Sequence, residues 1–189
     1  RIGSAHSCGR FNIPSVGVHV WRLKTYGIAG APAYCVEGEG TQCFTFSILG
    51  NDTPLHRRAE PEAEPTHIAE EANLPVAITR RALEHHVSRH PPVTQASEAL
   101  YGAGKSIAIY APGWPDKNAP QPVPADMIIP ANLTEWRHRA KRNQILLDPV
   151  TGRMVFPVRQ VPRHGVHVDY RYAFSADMGG GDYIRPLAQ

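Results

Sequence analysis

The chain has 189 residues, a formal charge of +3, 42% hydrophobic residues and 20% charged residues. This balance excludes a disordered polyelectrolyte and gives no ground by itself for a nucleic-acid partner. Its 18 prolines and 16 glycines exclude a helical bundle or coiled coil, and no apolar run reaches the roughly 18–20 residues of a membrane helix.

In chain order, the small and polar residues 1–10 read as an extended arm. Val16, Val18 and Val20 alternate with Gly17, His19 and Trp21, the period-two pattern of a strand over about 15–23. Residues 34–36 and 42–47 bracket a Gly-rich turn and form a hairpin, its second arm rich in β-branched and aromatic residues. Residues 57–65 are a charged linker broken by proline. Thr66 is placed to cap a short helix to residue 72. Pro75 opens a longer helix to about residue 89, with Val76, Leu83 and Val87 near one face and Pro91 ending it.

Strands follow at 106–110, 127–129, 144–147, 153–157 and 166–172, separated by a loop carrying five prolines over 111–124. About seven short strands with one or two helices (about 66–72 and 74–89), and no βαβ rhythm, give a β-rich α+β fold of short antiparallel strands and hairpins. The expected divisions are an arm and small sheet over 1–56, a linker and helical segment over 57–92, and a β-rich module over 93–189 ending in a Gly-rich joint. The opening at Arg1 and the glycines at 179–181 lead us to expect a fragment of a larger chain, and no signal peptide is visible.

Four groupings bear on chemistry. Residues 102–106 imitate the end of a phosphate-binding loop, but Ala99 stands where the pattern needs glycine and a strand follows instead of a helix, so a tight turn is expected. His86 and His90 share a helix face at i, i+4, a spacing that can hold zinc beside His85, although no glutamate intervenes between them. Cys35 and Cys43 flank the Gly38 turn. A three-residue loop would set them opposite each other and permit a disulfide, and a four-residue loop would forbid it; reduced thiols are the favoured expectation. The run 136–142 is the densest in positive charge: Trp136, Arg137, Arg139, Lys141 and Arg142 are candidates for an interface with an acidic neighbour. Trp114, in a loop between Gly113 and Pro115, is a further interface candidate.

Residues 12–23, 46–55, 73–83, 148–157 and 168–183, taken in that order, resemble a region of large bacterial proteins associated with phage-tail-like contractile injection systems. The resemblance implies a structural role in or near the baseplate, a longer parent chain, and neighbouring subunits as partners. It brings no catalytic residue with it. The expected function is therefore an assembly module acting through protein contacts, without enzymatic activity or cofactor, in a cytoplasmic assembly or a released particle. Membrane spans and nucleic acid are not expected, and a small-molecule ligand is left open. The arm at 1–12 and the loop at 111–124 are the expected clasping segments. The alternatives are a carbohydrate- or surface-binding module using Tyr101, Tyr110 and Trp114, and a metal-dependent enzyme using the histidines.

Overall fold

Frequent proline and glycine keep most elements short. The computed structural model describes residues 22–62, 64, 66–88 and 93–176. The chain divides into two units, of which Lys24–Phe174 is the larger. Ten strands appear among the described residues: β1 (Arg22–Pro32), β2 (Tyr34–Cys35), β3 (Cys43–Thr45), β4 (Glu84–Val87), β5 (Val93–Ala96), β6 (Ala108–Tyr110), β7 (Ile128–Pro130), β8 (Ile145–Asp148), β9 (Arg153–Val155) and β10 (His167–Ala176). One α-helical turn, α1, covers Arg80–Leu83, and 3-10 turns cover Glu71–Asn73 and Ala125–Met127. The fold is β-rich α+β, with mostly antiparallel pairing.

Among the described residues three sheets form, in the orders β1-β10-β6, β2-β3-β9-β8-β7 and β4-β5. In the five-stranded sheet, side chains alternate between two faces, and both faces are apolar. Phe44, Met154, Leu147, Ile145 and Ile128 point into the main core with Phe46, Phe156, Leu55 and Ile78. Cys43, Val155 and Leu146 form a second cluster with Leu133, packed against Ile129, Trp136 and Ala140. The second face is therefore covered by the connection between β7 and β8. Those two strands are parallel, with Ile128 opposite Ile145, and a parallel pair requires a crossover of about a dozen residues or more.

The helix expected over 74–89 is reduced to one turn. Thr79 caps it, its hydroxyl accepting from the Ala82 amide at 3.1 Å. On its N-terminal side the backbone is extended: Arg57 N donates to Val76 O at 2.9 Å and Ile78 N to Leu55 O at 2.8 Å. On its C-terminal side Glu84–Val87 pairs antiparallel with β5. Apolar periodicity suggested a helix, but these non-local hydrogen bonds satisfy a backbone already rich in β-branched residues. The helix expected over 66–72 is likewise only the turn Glu71–Asn73. Nor do the expected N- and C-terminal sheets separate: β2 and β3 lie in one sheet with β7, β8 and β9. Most of the strand expected over 15–23 and the arm over 1–12 lie outside the described residues.

The hairpin register answers the cysteine question. Tyr34 faces Thr45 and Cys35 faces Phe44, so the turn is longer than either loop considered. Cys35 packs with the main core and Cys43 belongs to the second cluster. The thiols thus sit on opposite faces of the sheet, and both are free. Burial, with the Glu39 carboxylate and Cys35 nearby, pushes the Cys43 thiol up to about 11.

Candidate functional site

The candidate site lies on the crossover of residues 131–144 and on residues 157–164, which follow β9. The crossover must present apolar groups to the second face of the sheet, and Leu133, Trp136 and Ala140 do so. The charged residues between them, Arg137, Arg139, Lys141 and Arg142, are left exposed. Dense basic charge is thus displayed because its apolar neighbours face inward.

Three groups hold the crossover. Asp148, fully buried, accepts from Leu133 N at 2.9 Å, from Val150 N at 3.1 Å, and from Arg80 Nε and Nη2 at 2.9 and 2.7 Å. Burial alone would raise this carboxyl, but the Arg80 and backbone hydrogen bonds, together with the Arg80 charge, hold it below the usual carboxylate range. Arg153 grips Asp52 with Nε and Nη2 at 2.6 and 3.0 Å, and its Nη1 donates to the carbonyls of Leu133 and Thr134 at 3.0 and 2.7 Å. The same guanidinium lies over the Trp136 ring, 4.6 Å from its centroid. At the far end Asn143 and Gln160 exchange two hydrogen bonds of 2.8 Å.

Gln160 also joins the crossover to the proline-rich loop. Its carbonyl accepts from Trp114 Nε1 at 2.7 Å. Trp114 is 3% exposed and meets Phe156 edge to face at 5.3 Å. Its expected interface role is therefore corrected: the indole is a core group rooting residues 111–124, a loop also closed by Gln121, whose amide exchanges hydrogen bonds with the Ala111 backbone. Tyr101 is also buried, its hydroxyl donating to Val123 O at 2.8 Å, so Tyr101, Tyr110 and Trp114 form no exposed platform.

Two grooves flank the Val158–Gln160 ridge. One, of about 690 Å³, is lined by Lys117, Arg159, Arg163 and His164 around Pro115 and Val161. The other, of about 550 Å³, is lined by Arg139, Arg142 and Arg159 over Ala140 and Pro157. Arg159 borders both, and Val158 on the ridge is 60% exposed. Among the described lining residues five are cations, and Asp116 is the one carboxylate. The local excess is larger than the +3 of the whole chain, so charge is segregated onto this face.

Of the expected interface residues, Arg139 and Arg142 come together in one groove, while Lys141 is exposed beside them. Arg137 instead pairs with Glu135 at 2.8 Å and lines a separate cavity of about 260 Å³ with Asn132 and His138. Trp136 is half-buried beneath Arg153. Lys117, Arg159 and Arg163 were not anticipated. Arg159 and Arg163, four residues apart beside His164 in a proline-bearing segment, were the available signal.

The histidine expectation changes as well. His86 lies on β4, not on a helix; its Nδ1 is 3.2 Å from Thr94 Oγ1 and its Nε2 3.8 Å from Glu84. His85 adjoins it in the same strand and points to the opposite face, and His90 lies outside the described residues. Among the described residues no three His, Cys, Asp or Glu side chains are grouped to hold a metal ion. Residues 102–106 form a turn: Gly102 and Gly104 have positive φ, Lys105 N donates to Gly102 O at 3.1 Å, and β6 follows. No helix among the described residues is long and apolar enough to cross a membrane. In comparisons with known proteins, no family model, no curated protein and no solved structure matches the chain.

Proposed function

We propose that this chain is a structural module of a phage-tail-like contractile assembly, placed in or near the baseplate and working through contacts with neighbouring subunits. The order of its sequence blocks motivates the apparatus. The observation that carries a contact role is the pair of basic grooves on a braced ridge. Guanidinium groups beside apolar surface suit a protein partner. The ridge is fixed beforehand by Gln160, Asn143 and Trp114, which lowers the ordering cost of docking.

The test is to tag the protein in its own cell, purify sheath-bearing particles and label the tag for electron microscopy. Label at one end of the particles supports the reading. Sheath-bearing particles free of label, with the tagged protein recovered only elsewhere, overturn it. Separating intact cells from the released fraction decides between a cytoplasmic assembly and a released particle.

A further inference from the structure

We propose that the two basic grooves receive the acidic loop closed by Glu60 and Ala72 from a second copy of this chain. The inference rests on the assembly reading and names the neighbour. Glu60 N donates to Ala72 O at 2.9 Å, and the Asn73 side chain donates to Glu60 O at 3.0 Å. The segment thus leaves and returns at one place, and every described residue between its two ends is exposed. Glu60, Glu62, Glu64, Glu70 and Glu71 are all exposed on it. Ile68, also on the loop, is 88% exposed. Five carboxylates and one bare isoleucine thus match in number and kind five groove cations and the bare Val158 of the ridge.

Within one copy the two surfaces do not satisfy each other. Glu71 pairs with Arg57 at 3.3 Å and Glu70 lies 3.9 Å from His67, and among the described residues no ion pair joins the loop to the grooves. Complementary patches at two different places on one chain make a head-to-tail contact, which generates rings or filaments. A nucleic acid fits less well. Single strands bind by stacking bases on exposed aromatic rings beside cations. Here Trp114 is buried and the Trp136 ring is covered by Arg153, while the exposed Val158 offers a phosphate backbone nothing.

Sedimentation of the full chain tests this. At about 100 µM and low salt the chain should associate, and the association should weaken about tenfold or more between about 50 and 500 mM NaCl as the screening length shortens. Arg142→Gln with Arg159→Gln, or Glu62→Gln with Glu64→Gln, should each weaken self-association about tenfold or more. Mixed together, the two variants should form a one-to-one dimer that does not extend, because each retains one working surface. A chain that stays monomeric, associates regardless of salt, or tolerates both variants overturns the inference. So does a monomer that binds a DNA oligonucleotide through Arg142 and Arg159. A monomeric chain that still labels the particles removes only the second copy as occupant; association without particle labelling removes only the apparatus.

Discussion

Replacing Arg80 by methionine tests the brace beneath the basic crossover. The substitution keeps an unbranched apolar stem but leaves the fully buried Asp148 carboxylate with two amide donors, Leu133 N and Val150 N. Breaking a fully buried pair costs about 3–5 kcal/mol. The Arg80 side chain is 31% exposed, so water can partly replace it, and a loss of about 2–3 kcal/mol is expected at pH 7. That is a large share of the roughly 5–15 kcal/mol typical of a domain.

The pH dependence carries a sign. In the wild type the folded-state value of Asp148 lies below its ordinary 3.8. Its contribution is therefore complete above the unfolded value and fades as pH falls through the folded one. Without Arg80, the side-chain hydrogen bond and the charge that lower the carboxyl are lost and its value rises relative to the wild type, so the variant is penalised at neutral pH and relieved as acid protonates the group. Urea unfolding followed by tryptophan fluorescence at pH 7 and about pH 4 should show the gap between the proteins narrowing toward the acid side. A variant within about 0.5 kcal/mol of wild type at pH 7, or a gap unchanged with pH, would refute the assignment of Asp148 as the buried anchor.

Three further outcomes follow from the packing. Trp114→Ala should cost about 3–5 kcal/mol in the same assay; a loss below about 1 kcal/mol would return Trp114 to the interface candidates. Gly152 has φ +64, and a Cβ there would collide with the Thr53 carbonyl, whereas Gly104 at φ +71 faces open space. Gly152→Ala should therefore destabilise by about 2 kcal/mol or more and Gly104→Ala by about 1 kcal/mol, and equal losses would contradict the contact. With its thiol pushed up to about 11, Cys43 is only about one part in a thousand thiolate at pH 8. Alkylation followed by peptide mapping should find it slow when folded and fast in urea; equal rates would refute its burial.

Most of the strand framework is legible from residue types alone. Alternation and turn chemistry place the strands near 34–47, 106–110, 127–129, 144–147, 153–157 and 166–172, and the structure keeps a strand at each with shifted ends. The basic run 136–142 is equally plain as a charge density. Two strands give little local sign. β1 holds Tyr26-Gly-Ile-Ala-Gly30, where two glycines dilute the strand preference of Tyr26 and Ile28, and it is a strand through pairing with β10. β4 carries His85 and His86 and is a strand through pairing with β5.

Pattern and composition, then, determine that this chain is strand-rich and that its positive charge is concentrated. Only tertiary structure decided that residues 84–87 pair as a strand, that Cys35 and Cys43 face opposite ways, that Trp114 is buried, and that Arg139 and Arg142 share a groove with Arg159. The physical reason is the range of the interactions. Side-chain alternation and turn preference act over a few neighbouring residues, whereas strand pairing, register and the closing of a groove depend on groups far apart in the chain.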